Sequence, residues 1–243
     1  PLLAHFYQQA TSRLNITTER TPDIWRYLFL HNPGTETETE IMLLLDSQDT
    51  PQGYCSLARH GFGNGLIVNE TSNLTVTAAG FILDWLKTTA IARAKPYIRF
   101  NLPPDNDLLR LARAHGAYDN GCYAWQIHIP DAARLLRKFA PLFERRLAAS
   151  PFAGLTRPII LNLYRTAYAL RFEQGKLRAV DSLGYIEEGD IRLPPNTLTP
   201  LVLGYRTREE LQHIYPDVFI SGQSRLLIDV LFPRLQSFIF PNY

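Results

Sequence analysis

Apolar positions along this chain follow two rhythms, and the pattern changes near residue 130. Spacings of three and four predict a helix over residues 2–12, with Leu2, Leu3, Phe6 and Tyr7 on one stripe. The same spacing predicts a helix over 76–94, with Phe81, Ile82, Trp85 and Leu86 as its apolar face, and a shorter one over 107–115. A further helix is expected after Thr21-Pro22-Asp23: Thr21 caps it, Pro22 takes the first turn, and Ile24, Trp25 and Leu28 face inward. Short apolar runs predict strands at 41–45, 53–59, 66–70, 97–102 and 122–129. Asn64-Gly65 between the second and third of these is a hairpin signal. Strands and helices alternate, but with a meander in the middle, so residues 1–130 read as an α+β (mixed α/β) sheet domain.

Pro130-Asp131 marks a boundary, and residues 131–243 read as a second α+β domain. It opens with one amphipathic helix over 132–149. Leu135, Leu136, Phe139, Leu142, Phe143 and Leu147 share one face, and Arg134, Arg137, Lys138, Arg145 and Arg146 lie on the other as a solvated stripe. Strands follow at 158–164, 168–173, 176–180 and 191–193. Thr199-Pro200 opens a short helix that ends at Gly204, and Thr207-Arg-Glu-Glu210 is a capping box. Ser224 caps a last helix that Pro233 stops, and residues 237–240 form a closing strand with Phe238 and Phe240 on one side. Chain ends are usually polar and frayed. Three aromatics in the last six residues predict that this one is tied down, closing the second domain.

Composition narrows the field only slightly. A formal net charge of +2 gives no reason to expect nucleic acid, and no run of 18 apolar residues suggests a membrane span. No secretory leader pattern is visible, which fits a cytoplasmic protein. Cys55 and Cys122 sit in apolar runs and read as buried free thiols rather than a disulfide. The start at Pro1 fits a processed product or a piece of a longer chain.

Local chemistry is sparse. An acyl-CoA site of the GNAT type needs Gln or Arg, two residues, Gly, one residue, then Gly or Ala, between a strand and a helix. The loop amides then hold a pyrophosphate at the helix N-terminus. Arg59-His-Gly-Phe-Gly-Asn-Gly65 has the glycines, but the basic position falls on Ala58 and a strand follows, so the stretch reads as a hairpin. His5, His31, His60, His115, His128 and His213 are scattered, without zinc-protease spacing, and no metal site is expected. Glu187, Glu188 and Asp190 read as a solvated loop. Ser221 and Ser224 read as turn and cap.

Several longer stretches resemble the C-terminal part of Eis-like GNAT N-acetyltransferases. They are the 132–149 helix with Ala149-Ser-Pro-Phe-Ala-Gly154, the run Thr199-Pro-Leu-Val-Leu-Gly-Tyr-Arg-Thr-Arg-Glu-Glu-Leu211, and Leu227-Ile-Asp-Val-Leu-Phe-Pro-Arg234 with its aromatic end. The resemblance implies a degenerate, second GNAT-like domain over 1–130 and a sterol-carrier-protein-like domain over 131–243. It implies that no cofactor is bound in this chain, and that acetyl-CoA and the tyrosine general acid belong to an N-terminal GNAT domain absent here. It also implies an amine substrate, a homo-oligomer, and a catalytic α-carboxylate at Tyr243, where the chain ends. An alternative reading is a lipid-binding sterol-carrier-like module with Phe139, Phe143, Phe152 and Phe172 around a tunnel, set against those four as ordinary core. A pure assembly module is a third.

Overall fold

The computed structural model describes residues 1–121 and 126–240. The chain divides into two compact units, residues 1–125 with 238–243, and residues 126–237. Each holds its own mixed sheet.

In the first unit α1 (Leu2–Thr11) and α2 (Pro22–Leu30) precede a four-stranded sheet. Its order is β1 (Thr39–Leu45), β2 (Pro51–Ala58), β3 (Leu66–Thr71), β4 (Ile98–Phe100). The first three strands are antiparallel neighbours, and β4 joins β3 in parallel through α3 (Val76–Ala92). α4 (Asp107–Ala114) follows, capped by the Asn106 side chain. Thr21 caps α2 and Pro22 opens it, as the pattern predicts. Cys55, Leu57, Val68, Ile82, Leu86 and Leu108 make the core between sheet and helices. The apolar face of α3 differs from expectation. Ala79, Ile82, Leu83, Leu86 and Ala90 are buried while Phe81 is 69 % exposed. The helix is apolar nearly all round, so periodicity alone does not single out its inner face. No residue of α2 is fully buried, although Ile24, Trp25 and Leu28 are partly covered. Of the expected strand at 122–129, residues 126–129 are not strand and 122–125, Cys122 among them, lie outside the described residues. Cys55 is a buried free thiol, and burial pushes its pKa up to about 12.

The second unit carries the order β7 (Lys176–Gly184), β6 (Ala167–Glu173), β5 (Pro158–Asn162), β8 (Ile191–Arg192), β9 (Phe219–Ile220). β5 and β8 are parallel and the rest antiparallel. The single helix expected over 132–149 is two: α5 (Ala132–Lys138), capped by Asp131, and α6 (Ala140–Ala148), divided at Phe139. Pro141 is the cause, because it lacks an amide hydrogen and its ring collides with the carbonyl four residues back. The basic stripe is also less solvated than its pattern suggests. Arg137 donates to Val180 O (3.4 Å) and Arg146 to Leu231 O (2.5 Å). Of the four phenylalanines, Phe143 and Phe172 are buried in the core, Phe139 and Phe152 are partly buried against the same cluster, and Phe143 meets Phe232 edge-on at 5.4 Å.

α7 (Pro195–Val202) begins four residues before Thr199 and holds Pro200 inside it. The capping box at Thr207 forms and opens α8 (Arg208–Ile214). Ser224 does not cap α9 (Arg225–Leu231). Its hydroxyl donates to Asp190, which also pairs with Arg157 at 2.9 Å and accepts from Ile160 N at 2.8 Å. Asp190 is therefore a structural tie, whereas Glu187 and Glu188 are exposed. Burial opposes its ionisation, but the Ser224, Ile160 and Arg157 hydrogen bonds hold it below the usual carboxylate range.

Residues 237–240 are not a strand. Phe238 donates one backbone hydrogen bond to Ile16 O at 3.0 Å, and this segment belongs with the first unit from Phe238 onward rather than closing the second.

Candidate functional site

β3 and β4 pair over only three residues, Leu66–Val68 against Ile98–Phe100. Beyond Val68 no strand among the described residues lies beside the last half of β3 on that edge. The register also slips there. Leu57 faces Val68 but Ser56 faces Glu70, which leaves Asn69 as an extra, bulged residue. A bulge re-aims the side chains that follow it. By simple alternation Glu70 would lie with Leu66 and Val68 under α3. The bulge turns it to the opposite face, beside Tyr54 and Ser56.

There Glu70 meets Arg20, from the segment between α1 and α2. Arg20 Nη1 lies 2.9 Å from Oε1 and Nη2 lies 2.5 Å from Oε2, a two-pronged ion pair with side chains 2 % and 4 % exposed. Tyr54 donates a short hydrogen bond to Glu70 Oε1. The Arg20 guanidinium stacks over Tyr7 at 4.1 Å and lies 4.9 Å from Trp25. Tyr7 donates to Thr18 O at 2.7 Å and contacts Trp25 edge-on at 5.7 Å. On Tyr7 rests Phe240, with ring centroids 5.9 Å apart. Phe240 is 2 % exposed and meets Phe238 at 5.0 Å.

Burial alone would lower the pKa of Arg20, but the Glu70 carboxylate outweighs it and leaves the guanidinium raised. Burial lifts Tyr54 well above 10, and Glu70 lifts it further. Tyr7 is also raised by burial, against the Arg20 charge. The folded unit thus keeps both phenols protonated where the unfolded chain ionises. Their contribution is complete below about pH 10 and is lost as pH rises beyond it. Trp25 and Trp85 lie in the first unit, and residues 126–237 contain no tryptophan. Cys55 adds an earlier loss, because its thiol ionises near the ordinary cysteine value in the unfolded chain but only at about 12 when buried. Urea unfolding followed by tryptophan fluorescence should therefore hold its midpoint from about pH 7 to 8, begin to lose it near about pH 9 and lose it more steeply above about pH 10.

The glycine-rich stretch is a hairpin turn between β2 and β3. A Cβ on Gly63 or Gly65 would lie 2.3 or 2.1 Å from the Tyr97 side chain, so these glycines admit a ring. A hollow of about 670 Å³ opens beside them. Its Arg93 is paired with Glu40 (2.9 Å for both contacts) and its Arg59 with Glu38 (3.1 Å), so its guanidiniums already hold carboxylates. The strand-loop-helix junction of this fold lies elsewhere, at Thr71–Thr75 between β3 and α3. It contains no glycine and no basic residue. Thr75 Oγ1 accepts from Ala78 N at 3.1 Å, Ser72 Oγ accepts from Tyr54 N at 2.9 Å, and Asn106 Nδ2 donates to Thr71 Oγ1 at 2.8 Å. Both flanking elements are legible in the sequence, and the glycines lie in the hairpin expected of them, but nothing in Thr71–Thr75 itself marks the junction. Among the described residues no cluster of three His, Cys, Asp or Glu side chains could hold a metal, and no helix is long and apolar enough to cross a membrane. Tyr243, the expected catalytic position, lies outside the described residues.

No family model matches the chain, and no curated relative matches it either. Solved structures do. A GCN5-related N-acetyltransferase from Anabaena variabilis superposes with a TM-score of 0.54 at 19 % identity, over 98 % of this chain and 59 % of that one. A protein from Enterococcus faecalis, described as a probable N-acyltransferase, gives 0.52 at 11 % identity, over 100 % of this chain and 59 % of that one. The chain has a GNAT-like α+β fold. At these identities the likeness establishes fold alone. This chain spans 59 % of the length of both neighbours. Within the GNAT-like fold, chemically capable side chains gather at the bulged end of β3. They satisfy one another there.

Proposed function

We propose that this chain is the part of an Eis-like GNAT N-acetyltransferase that does not bind acetyl-CoA. On this reading residues 1–130 are a degenerate second GNAT-like domain and residues 131–243 a sterol-carrier-protein-like domain. Acetyl-CoA is held by a further N-terminal GNAT domain outside this chain. The whole enzyme, cytoplasmic and homo-oligomeric, transfers acetyl to an amine. This chain supplies scaffold, part of the substrate pocket and a terminal carboxylate. The observation that carries the proposal is the Thr71–Thr75 junction. Where a GNAT unit would present free amides to a pyrophosphate, this one caps its helix with its own Thr75 side chain.

The proposal takes Tyr243 as the last residue of the whole protein. The amine nitrogen attacks the acetyl carbonyl, the thiolate of CoA leaves, and the amine gives up a proton. An α-carboxylate has a pKa of about 3.5, so it is ionised near neutrality and weakly basic. It would serve by accepting that proton through a water, or by stabilising the ammonium charge as it develops. Its worth is in placement, and the buried Phe240 supports the idea of a held terminus.

Calorimetric titration tests the reading. This chain should show no binding of acetyl-CoA up to about 100 μM, an affinity weaker than roughly 5.5 kcal/mol. The longer protein should bind acetyl-CoA and acetylate an amine. Micromolar binding to this chain alone overturns the proposal.

A further inference from the structure

We propose that the hollow beside the β2–β3 hairpin binds a phosphate group, free or carried on a small molecule. Arg99, Lys95 and the backbone amides of residues 61–65 hold it.

The loop leaves β2 at Ala58 and returns as β3 at Leu66. A tight two-residue hairpin closes its own amides across the turn. This loop does not. Among the described residues no acceptor serves the backbone N–H of Gly61, Phe62, Gly63, Asn64 or Gly65. Three of these donors belong to glycines that line the hollow of about 670 Å³. Gly63 takes φ +86°, a conformation that a side chain would resist. Successive open N–H groups in such a loop make an anion-binding concavity.

Behind the loop stands Arg99. In the parallel register it lies beside Ile67, which lines the hollow. Its Nη1 donates to Phe62 O at 2.8 Å. Its Nη2 comes within 3.6 Å of where a Cβ on Gly61 would stand, so the guanidinium lies against the glycine wall. Its Nε is buried without an acceptor, and no carboxylate pairs with it among the described residues. A cation withdrawn from water needs a counter-charge, and one neutral carbonyl does not supply it. Lys95 also lines the hollow, partly buried, and it has no carboxylate partner among the described residues either. Glu38 and Glu40 do not meet this need, because they are engaged by Arg59 and Arg93. Those two pairs cancel, which leaves the charges of Arg99 and Lys95 uncompensated.

The donor set favours phosphate over carboxylate. A carboxylate presents its oxygens in one plane, whereas a phosphate spreads its oxygens around one centre and can meet a guanidinium edge and several amides together. The place is separate from the Thr71–Thr75 junction, since the hollow lies at the start of β3 and the junction follows its end. The inference therefore stands apart from the reading of this chain as part of an acetyltransferase.

Amide chemical shifts of the isotope-labelled chain, titrated with inorganic phosphate at constant ionic strength, read the site directly. Shifts should concentrate in residues 61–65 and saturate with a Kd of about 1 mM, the strength of a few charge-assisted bonds in an open hollow. Glycerol 3-phosphate should saturate the same amides. Tighter binding of that ester identifies a phosphate ester as the ligand, and equal binding identifies free phosphate; both results support the site. Acetate should bind at least about fivefold more weakly. Arg99→Met should weaken phosphate binding by about tenfold, and Lys95→Met by about threefold. Lys95→Met leaves the Arg99 contact with Phe62 in place, so it tests the site even where Arg99→Met loosens the loop. The proposal fails if the shifts of residues 61–65 do not saturate, if acetate binds as well as phosphate, or if either variant binds phosphate as the wild type does.

Discussion

Arg20→Ala should cost the first unit about 3–5 kcal/mol, the range for breaking one side of a buried ion pair. The Arg20 and Glu70 side chains are 2 % and 4 % exposed, so removing the cation strands a carboxylate that water cannot reach. Tyr54 would still donate to it, but one neutral hydrogen bond does not replace a two-pronged guanidinium. Tyr7 and Trp25 lose the cation on their faces as well. A domain of this size loses roughly 3–6 °C of melting temperature per kcal/mol. The transition reported by tryptophan should therefore fall by more than about 10 °C. Arg26, whose pairing with Asp23 leaves the two side chains 60 % and 85 % exposed, supplies the contrast. Arg26→Ala should change stability by less than about 0.5 kcal/mol. Arg20→Met with Glu70→Leu should recover much of the loss, because a buried pair replaced by apolar side chains removes two desolvated charges together. If Arg20→Ala melts with the wild type, the pair does not organise this unit.

In the longer enzyme, two glycines added after Tyr243 should lower kcat by about 10²-fold. A positioned acid or base contributes 10²–10⁴-fold, and a carboxylate this weakly basic belongs at the low end. The loss corresponds to about 2.7 kcal/mol of transition-state stabilisation. It should appear in kcat with little change in KM for acetyl-CoA, because the carboxylate would meet the reacting amine and not the cofactor. Deleting Tyr243 should match it. The melting temperature should not move in either variant, since Phe240 remains seated on Tyr7. Wild-type turnover in the extended enzyme would leave this chain as scaffold.

Local features of this fold were legible in the residues because their causes are local. Thr21 with Pro22 and the Thr207 box each depend on a few consecutive side chains; the β2–β3 hairpin also forms, though its positive-φ residues are Gly61 and Gly63 rather than Asn64-Gly65. Pro141 is equally local, but the apolar stripe of residues 132–149 runs straight through it and masks the break at Phe139. Glu70 was illegible for a different reason. Its direction depends on a register slip between β2 and β3, and slips are set by pairing across strands rather than by either strand alone. Arg20 carried no signal either. A single arginine in a loop is unremarkable until a carboxylate and two rings enclose it. The aromatic end of the chain correctly suggested a pinned segment. Its partner could not be read, since nothing near Phe240 in sequence points to Tyr7.

The pairing of Tyr7 with Phe240 also imposes an order on biosynthesis. Translation proceeds at about 5–20 residues per second, so this stretch of chain takes tens of seconds to emerge. All of residues 126–237 are made before Phe240 is, and they form a compact unit with its own core. The first unit must wait through that interval with the site on Tyr7 unfilled and its aromatic surface open to water. Its last contact closes only as synthesis of this stretch ends, which leaves the nascent first unit open at the very position the finished protein buries.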